Sequence, residues 1–310
     1  MKLPSVLAAA TAAVILAAPL AAQQIPDGSP ARPFRVTLVP ADGGTEDGTK
    51  ADFKPLFDAV TKATGLHFDI KVGQTYGAVV EAICAGVTEI AWFGPASYLP
   101  ARERGCAELL AVDVHHGQAV YYSGIFVPAD SPVRSLADLK GKTMAFGDAN
   151  STSSFVYPVA MLLAAGLDPA KDLAAIRMTG SHANSLKALA EGRVDAAAAS
   201  FDSFEKAVNQ KVLEPGKFRV LAKSDPIPNP PIAMSTKLPA EVKAKLKAAF
   251  GSVHTMPGVN PEQIRGYGGK KVDRYDSSID EDMMKPALVT LAKVSGEVRR
   301  AILEKAAASQ

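Results

Sequence analysis

The chain has 310 residues, of which 34 are basic and 32 acidic, so its formal net charge at pH 7 is +2. A balance this close to neutrality provides no basic field for nucleic acid or for an anionic membrane surface. The length exceeds what one small hydrophobic core organises, so we expect one large lobe or two smaller ones.

The first 22 residues have the order of a secretory signal peptide. Lys2 gives a short basic start, Leu3–Leu20 is almost wholly apolar, and the small residues Ala21 and Ala22 precede a polar segment. We expect cleavage after Ala22. A membrane anchor is the alternative, but the apolar run is only just long enough to span a bilayer and contains two prolines. No cysteine directly follows the small residues, so we expect a free periplasmic protein.

Short β-type runs then alternate with segments of helical spacing. Phe53, Leu56 and Phe57 recur on one helix face, and Gly65 is a natural stop for that helix. The elements predicted in this half are strands at Phe34–Val39, His67–Val72, Glu89–Phe93 and Ala107–Asp113, and helices at Asp52–Gly65, Tyr76–Ala85 and Tyr98–Arg104.

The same alternation continues through the second half. Strand–helix alternation at this spacing predicts α/β sheets with mostly parallel strands. We interpret the Pro-rich stretch 225–231 as a crossover between lobes, because it is short and apolar sequence resumes at once. The predicted strands are Tyr121–Val127, Thr143–Phe146, Ala175–Thr179, Val194–Ala199 and, as the last clear strand, Phe218–Ala222; the predicted helices are Leu136–Leu139, Ser151–Ala165, Asn184–Glu191, Phe204–Val208, Ala240–Phe250 and Ser277–Ala308.

A run of hydroxyl residues follows the strand at Thr143–Phe146, within the segment Gly147–Ser154. The first turn of a helix leaves unpaired N–H groups and a partial positive charge, and Ser and Thr hydroxyls add donors for an oxygen-rich ligand. Open α/β sheets bind ligands at this end of their strands. Ordinary helix capping accounts for the same residue types and is favoured by this segment alone. The segment contains neither Lys nor Arg and is not a Walker P-loop.

Two further polar loops follow predicted strands. Gly180–His182 precedes a helix, and its imidazole can donate to an oxyanion, accept from a protonated one, or cap that helix. Ser200–Ser203 contains Asp202, which would favour a ligand carrying a proton or an ammonium group, or serve as an N-cap. Three such loops in one half of the chain predict a shared cleft. Tyrosines able to reach an oxygen, or to lie at the sheet margins, are Tyr76, Tyr98, Tyr121 and Tyr122.

The two cysteines of the sequence are Cys84 and Cys106. In an oxidising compartment an even pair is typical of a disulfide. Spacing alone does not establish that the two side chains are close, so two free, half-buried thiols remain the alternative.

Taken together, these segments resemble the PhnD-like family, the periplasmic binding components of phosphonate and phosphite ABC importers. The most specific segment is Ser151-Thr152-Ser153, with a proline seven residues after its first serine. The residues that carry the resemblance follow the family's order over nearly the whole mature chain: Gln74–Glu81, Ile90–Gly94, Tyr121–Ser123, Asn150–Pro158, Gly180–His182 and Val194–Ala197 leading to Asp202.

The resemblance implies a two-lobed fold of the periplasmic binding protein type with two crossovers at the hinge. Lobe 1 would comprise residues 30–123 and 224–308, and lobe 2 residues 124–223. The implied function is to hold phosphite or a phosphonate in the cleft for delivery to the permease of an ABC importer. The resemblance implies no cofactor and no nucleic-acid partner, and we expect a monomer.

Site residues carry over from the family by position. The family's phosphonate-oxygen ligands are matched by Ser151, Thr152, Ser153 and His182. Its tyrosines are matched by Tyr76 and Tyr121, with Tyr122 a close competitor to Tyr121. An acid that faces the ligand in the family is matched by Asp202.

The chain departs from the family pattern at two positions. Ser154 replaces the usual glycine, and either offers another hydroxyl or points outward. Pro230 stands where aminoalkylphosphonate binders carry a second acid, so a ligand ammonium would lack a partner and 2-aminoethylphosphonate is disfavoured. We therefore expect phosphite, methylphosphonate or another small monoanion, with Asp202 accepting from the ligand's acidic hydroxyl.

Two other functions remain as alternatives. A neighbouring branch of the family contains arsenite sensors that depend on a cysteine near Cys106, and such a protein would signal to a membrane histidine kinase. An enzyme would need His182, a serine of the hydroxyl run and Asp202 to form a triad. The sequence has no Gly-x-Ser-x-Gly elbow and no His/Cys/Asp spacing typical of a metal site, so we expect no catalytic or metal-binding residues.

Overall fold

The computed structural model describes residues 26–43 and 46–309, so the predicted signal peptide (1–22) lies outside the described residues. Within those ranges the strands are β1 (Phe34–Leu38), β2 (Phe68–Val72), β3 (Ile90–Trp92), β4 (Ala107–Val114), β5 (Val120–Tyr121), β6 (Ser123–Pro128), β7 (Thr143–Phe146), β8 (Ala175–Met178), β9 (Ala196–Ser200), β10 (Phe218–Lys223), β11 (Ile227–Pro228), β12 (Ile232–Ser235) and β13 (Arg274–Asp276).

The α-helices follow the strands closely along the chain. They are α1 (Ala51–Thr64), α2 (Tyr76–Ala85), α3 (Pro95–Glu103), α4 (Tyr157–Ala164), α5 (Pro169–Asp172), α6 (His182–Ala190), α7 (Phe201–Asn209), α8 (Ala240–Ser252), α9 (Lys285–Lys293) and α10 (Gly296–Ala307). Short 3₁₀ or π-helical turns lie at Glu46–Lys50, Leu136–Leu139, Thr152–Val156, Val253–Thr255, Pro261–Gln263, Tyr267–Gly269 and Glu281–Met284.

Helix α1 shows how the apolar spacing produces the fold. Phe53, Leu56 and Phe57 lie on one face and are at most 1% exposed, and Val60 continues that face one turn later. Burying each of these side chains stabilises the folded state by roughly 1.5–3 kcal/mol. The helix ends at Gly65, whose φ of 72° is left-handed and therefore suits glycine. The predicted helix at Asp52–Gly65 is confirmed to within one residue at each end.

Two sheets divide the molecule into two lobes, so the predicted two-lobed α/β fold is confirmed. Lobe 1 contains the six-stranded sheet β13-β4-β12-β3-β1-β2, and lobe 2 the five-stranded sheet β10-β6-β9-β7-β8. Strand β9, Ala196–Ser200, is central in lobe 2 and fully buried. Its small side chains let α6 and α7 pack closely on it.

The prediction of mostly parallel strands is confirmed, since most strands of each sheet run in one direction, although each sheet also contains antiparallel strands. Parallel pairing joins β1 to β2 and β3, and β7 to β8 and β9. Strand β12 runs antiparallel to β3 and β4, and β6 runs antiparallel to β9 and β10. The physical reason is connectivity: β6 and β12 enter their lobes from the hinge, so they start at the end of the sheet where the βα strands finish and run in the opposite direction.

Phe218–Ala222 is not the last strand, contrary to expectation, because β12 and β13 follow it. All four residues of β12 are buried, so it lacks the alternation that marks a half-buried strand. Strand β13 has three residues, and its pairing with β4 defines it. Both strands depend on long-range pairing that local sequence does not display.

The hinge is a two-stranded ribbon in which Tyr121 of β5 lies opposite Ile227 of β11. The predicted strand Tyr121–Val127 is therefore two strands, broken at Tyr122, since β5 belongs to the hinge and β6 to lobe 2.

The predicted helix at Ser277–Ala308 is also divided, into α9 and α10. Ser295 begins α10 by accepting a hydrogen bond from the amide of Val298 at 3.3 Å. Helix α10 packs against β8 and α5 of lobe 2, and Arg299 lies over the ring of Phe155 with 5.6 Å between its Cζ and the ring centroid. The prediction that lobe 1 extends to residue 308 is therefore wrong at its end, because α10 finds its apolar partners on lobe 2.

Candidate functional site

A narrow cavity lies between the lobes, lined by residues that follow β1, β3 and β7. In this closed arrangement its cavity volume is only about 10 Å³. Pockets for drug-sized ligands hold roughly 300–1,000 Å³, so this cavity suits a ligand of few atoms. The lining residues are Val39, Ala41, Tyr76, Trp92, Gly94, Tyr121, Ser151, Thr152, Ser153, His182, Pro230 and Tyr267.

The hydroxyl run forms the first turn after β7. Ser151 is the N-cap, and its Oγ accepts a hydrogen bond from the amide of Ser154 at 3.2 Å. Ser151, Thr152 and Ser153 all line the cavity and are at most 2% exposed. Capping and cavity lining, which the sequence left as alternatives, are both true of Ser151. Ser154 is also buried, but its Oγ has no partner among the described residues and does not line the cavity, so neither predicted role for it holds.

His182 is the first residue of α6 and presents a neutral imidazole to the cavity. Its Nδ1 lies 2.9 Å from the amide nitrogen of Ser200. Because an amide can only donate, Nδ1 accepts and the ring proton of the neutral form lies on Nε2. Nε2 lies 3.3 Å from the Oγ of Ser151. Burial lowers the pKa of His182 to about 4, and the negative charge of Asp42, which acts to raise that pKa, is the smaller effect. The side chain is therefore an uncharged N–H donor at neutral pH.

Tyr76 and Tyr121 lie beside the hydroxyl run as predicted. The Ser151 hydroxyl near the Tyr76 phenol, and the Ser153 and Thr152 hydroxyls near the Tyr121 phenol, each act to lower the pKa of that phenol. Burial raises the pKa of both phenols above the usual value of 10, so both keep their protons and can donate.

Tyr98 and Tyr122, the other tyrosines considered, do not line the cavity. The Tyr98 hydroxyl donates to Glu281, and the ring of Tyr122 lies 3.6 Å from the Nζ of Lys223. Tyr121 is therefore the hinge tyrosine that faces the cavity.

Three helices begin at the cavity: α2 at Tyr76, α3 after Gly94 and α6 at His182. Their first turns carry partial positive charge, although the amides of Tyr76, Ala96 and His182 already donate to protein groups. Thr152 of lobe 2 reaches into α3 of lobe 1, where its Oγ1 accepts from the Ala96 amide at 2.8 Å. A Cβ at Gly94 would lie 2.9 Å from that Oγ1, so glycine lets the lobes approach. The Thr152 hydroxyl hydrogen remains available to a ligand.

The cavity wall carries no formal charge. In the part of the chain that the structure describes, none of the lining residues is Asp, Glu, Lys or Arg. Hydroxyls, one imidazole N–H and helix termini are the groups that could bind a ligand, and all of them favour oxygen atoms bearing negative charge. The arrangement is therefore an uncharged seat for an oxyanion.

Asp202 does not face the cavity, contrary to expectation. Its Oδ1 lies 2.6 Å from the Nζ of Lys270, and both side chains are largely buried at the lobe interface. Asp202 is the second residue of α7. Its carboxylate points toward lobe 1 because Lys270 provides an opposite charge there. Sequence spacing could not reveal this partner, which lies 68 residues away.

Cys106 is not available as an arsenite ligand, because it forms a disulfide with Cys84. Of the two alternatives that the sequence left open for the cysteines, the structure contains the disulfide. Neither residue lines the cavity, and the bond joins the end of α2 to the start of β4.

Several lining residues were missed or only partly foreseen from the sequence. Trp92 lies within the segment that carries the family resemblance, but its side chain had no assigned role. Pro230, predicted to replace an acid, does line the cavity. Tyr267 comes from a loop for which no element was predicted, and no local signal marks it.

The lobes are closed on one another by direct contacts beside the cavity. The amide of His182 donates to the carbonyl of Ala41 at 2.8 Å. The amide of Tyr76 donates to Asp148 Oδ2 at 3.3 Å. Residues of lobe 1 and lobe 2 therefore meet on two sides of the site.

A buried charged group lies farther along the same interface, and we call Lys206, Asp42 and Asp52 the Lys206 cluster. Lys206 Nζ of lobe 2 lies 2.6 Å from Asp52 Oδ1 and 3.4 Å from Asp42 Oδ2 of lobe 1. The three side chains are 4–10% exposed. Burial, together with the charge of Asp42, raises the pKa of Asp52 to about 7.

Comparison with known proteins identifies the family. Residues 36–282 match the family described as ABC transporter, phosphonate, periplasmic substrate-binding protein. The chain is 31% identical over 257 residues to the phosphate-import protein PhnD of Mycolicibacterium smegmatis, a match that covers 78% of this chain and 79% of that protein. The chain therefore belongs to the periplasmic substrate-binding proteins of phosphonate ABC transporters.

Solved structures support the fold. A binding protein component of an ABC phosphonate transporter from Pseudomonas aeruginosa has a TM-score of 0.73 at 23% identity, covering 89% of this chain and 96% of that chain. PhnD1 from Prochlorococcus marinus in complex with methylphosphonate has a TM-score of 0.71 at 17% identity, covering 84% of this chain and 97% of that chain.

Family membership sets the general role. The protein is a substrate-binding component of an ABC transporter, which binds its ligand without chemical change and works with a membrane permease. Across the described ranges, no helix combines the length and apolar character that crossing a membrane requires. The same residues contain no group of three or more His, Cys, Asp or Glu side chains placed to hold a metal ion.

Proposed function

We propose that this protein captures a small phosphorus oxyanion, phosphite or methylphosphonate, for delivery to its ABC permease. The observation that supports the proposal is the composition of the cavity. Hydroxyl and imidazole donors from Ser151–Ser153, His182, Tyr76 and Tyr121 occupy part of the wall, and Val39, Ala41 and Pro230 form an apolar part. Such a cavity matches a head group with several oxygens and one substituent that needs no hydrogen bond.

A negatively charged ligand is compatible with a cavity wall that carries no formal charge. An oxyanion buried there accepts hydrogen bonds from neutral donors and lies near the first turns of α2, α3 and α6. Charge-assisted hydrogen bonds are each worth about 1.5–3 kcal/mol, so a few of them offset the loss of hydration. Because Asp202 is paired with Lys270, it does not accept a proton from the ligand, and the expected role of that carboxylate is withdrawn.

The apolar part of the wall favours phosphite and methylphosphonate over phosphate and 2-aminoethylphosphonate. A fourth phosphate oxygen would need a further donor, and the lining residues Val39, Ala41 and Pro230 have no side-chain donor to offer. A buried oxygen without a partner costs about 1–3 kcal/mol, or roughly 5–150-fold in affinity. A ligand ammonium would face the same apolar residues with no carboxylate to pair with, and its cost is higher still.

The site also supports a closing mechanism. Tyr76 and Trp92 belong to lobe 1, while Ser151–Ser153 and His182 belong to lobe 2. A ligand that contacts both sets favours the closed arrangement of a hinged protein, and the β5–β11 ribbon is the place where the hinge bends. The closed form is then the one that the permease recognises.

Calorimetric titration of protein freed of carried-over ligand tests the proposal. The panel is phosphite, methylphosphonate, phosphate, 2-aminoethylphosphonate, arsenate and arsenite. We expect phosphite or methylphosphonate to bind at least tenfold more tightly than phosphate or 2-aminoethylphosphonate. Equal or tighter binding of phosphate would contradict the assigned ligand. Binding of arsenite alone would also contradict the proposed ligand class. Sedimentation velocity with and without ligand tests the prediction of a monomer.

A further inference from the structure

Tyr267 forms one side of the cavity although it comes from the C-terminal part of lobe 1. It lies in the turn Tyr267–Gly269 and is 3% exposed. Its ring centroid is 5.1 Å from that of Trp92, 5.9 Å from that of His182 and 6.2 Å from that of Tyr121. The ring is therefore fixed among three other rings of the site.

The directions of the hydrogen bonds around the Tyr267 hydroxyl follow from Asp42. This carboxylate pairs with Lys206, so it accepts from Ser203 Oγ at 2.5 Å. Ser203 Oγ has one hydrogen, so at 2.6 Å it must accept from the Tyr267 hydroxyl. Ser200 Oγ in turn donates to the Tyr267 oxygen at 2.9 Å. The phenol thus donates once and accepts once, and both partners are protein side chains.

These bonds connect the two lobes. Tyr267 and Asp42 belong to lobe 1, whereas Ser200 and Ser203 belong to the end of β9 and the first turn of α7 in lobe 2. The next residue, Gly268, has a φ of 72°, and a Cβ there would lie 3.1 Å from the Cβ of Asp202 on α7. The Tyr267 turn therefore lies directly against lobe 2, and its hydroxyl bonds can form only when the lobes are closed.

We infer that Tyr267 sets the size limit for the substituent on the ligand, and that its hydroxyl makes this limit a property of the closed state. The inference rests on the proposed function. Since the hydroxyl is fully bonded to Ser200 and Ser203, the ligand meets the ring only as an apolar wall. Packing against the rings of Trp92, His182 and Tyr121 holds that wall in place, while the bonds across the interface stabilise closure, so a longer substituent is rejected in the closed state.

The two roles of the side chain can be separated by substitution. Tyr267→Phe keeps the ring and removes the hydroxyl bonds, and Ser203→Ala removes one of the same bonds from the opposite lobe. Tyr267→Ala removes the wall, and Tyr267→Leu removes most of it while keeping an apolar side chain in case the alanine variant folds poorly. Titration with methyl-, ethyl- and propylphosphonate then measures the propyl-to-methyl affinity ratio for each variant.

Tyr267→Phe and Ser203→Ala should weaken binding of all three phosphonates by a similar factor, about tenfold, and leave the ratio unchanged. Tyr267→Ala and Tyr267→Leu should raise the propyl-to-methyl ratio by at least tenfold. An unchanged ratio in both of these variants, while methylphosphonate still binds the wild type, overturns this inference alone. The inference is also overturned if the propyl-to-methyl affinity ratio rises as much in Tyr267→Phe as in Tyr267→Ala and Tyr267→Leu. Wild-type protein that binds neither phosphite nor any alkylphosphonate overturns the proposed function, and this inference with it.

Discussion

Two polar regions lie along the same lobe interface, and they are built on opposite principles. The ligand cavity uses hydroxyls, a neutral imidazole and helix termini, with no formally charged residue in its described lining. The Lys206 cluster places one ammonium against two carboxylates in surroundings that are nearly as buried. Both regions contain groups from lobe 1 and lobe 2, and Asp42 connects them through Ser203 and Tyr267.

The difference shows that ligand binding and lobe closure depend on different groups of residues. In the cavity the ligand supplies the charge. The wall itself has no charged side chain that would lose its water when the lobes close. In the Lys206 cluster the charges are already paired by protein groups, and burial together with the charge of Asp42 raises the pKa of Asp52 to about 7. We therefore expect changes in the cavity to act on affinity and changes in the cluster to act on stability and closure.

The largest effect should come from Lys206→Met, which leaves Asp42 and Asp52 buried without their cation. Removing one partner of a buried ion pair typically costs 3–5 kcal/mol, and we expect a loss of about that size in the free energy of unfolding. Denaturant titration measures it. Lys187→Met, which removes an exposed lysine of neighbouring α6, is the control and should change stability by less than about 0.5 kcal/mol. Equal losses in the two variants would show that the cluster contributes nothing.

Removing the disulfide tests whether lost stability by itself disturbs the cavity. Cys84→Ala combined with Cys106→Ala should lower the free energy of unfolding by about 2–4 kcal/mol. Ligand affinity should stay within twofold, because Cys84 lies eight residues, or about 12 Å, along α2 from Tyr76. Chemical denaturation and calorimetry on the same preparation check both values. Loss of binding by a folded variant would place a cysteine in the ligand site.

Thr152→Val should act on affinity and little on stability. The substitution keeps the shape of the side chain but removes a donor from the cavity and the acceptor of the Ala96 amide. We expect affinity for the best ligand to fall by about 10–100-fold, as for loss of a hydrogen bond to a charged group. Ser154→Ala is the matched control, since the neighbouring Ser154 hydroxyl is buried outside the cavity, and its affinity should stay within twofold. Equal losses of affinity in the two variants would show that the Thr152 hydroxyl does not bind the ligand.

The Lys206 cluster should also make stability depend on pH. The pKa of Asp52 is raised in the folded protein to about 7, so the folded state holds a proton that the unfolded state has lost, and stability falls as pH rises through 7. Between pH 6 and 8 this group should cost about 1 kcal/mol. Asp52→Asn should abolish that component, measured as the difference between the two proteins at each pH. His182 contributes in the opposite direction in both proteins, so the comparison isolates Asp52.

The smallest effect concerns the charge of His182, which should not change near neutral pH. The pKa is lowered by burial to about 4, so the imidazole should remain neutral, with its proton on Nε2, down to about pH 5. Its contribution to stability is complete above the unfolded pKa of about 6.5 and is lost as pH falls toward 4. Nitrogen-15 NMR of the ring reports both features. A midpoint between pH 6 and 7, or a proton on Nδ1, would refute the neutral-donor description.

Local sequence determined those parts of the protein that depend on neighbouring residues. The helices α1 and α2, the strand β7 and the hydroxyl turn that follows it were predictable, because apolar spacing and capping act within a few residues. Ser151, Thr152 and Ser153 could be proposed as site residues for the same reason, since a strand end, a turn and a helix start are adjacent in the chain. The residue pattern also offered His182, Tyr76 and Tyr121 as candidates, and the family resemblance selected them as ligand residues.

Tertiary structure alone decided what depends on distant partners. The carboxylate of Asp202 turned to Lys270 rather than to the ligand, and Tyr267 entered the cavity from a loop 66 residues beyond Phe201, the start of α7. Strands β12 and β13 and the packing of α10 on lobe 2 likewise required partners far along the chain. A side chain's spacing predicts the face on which it lies, but its contact is set by whichever opposite charge or apolar surface the folded chain brings within a few ångströms.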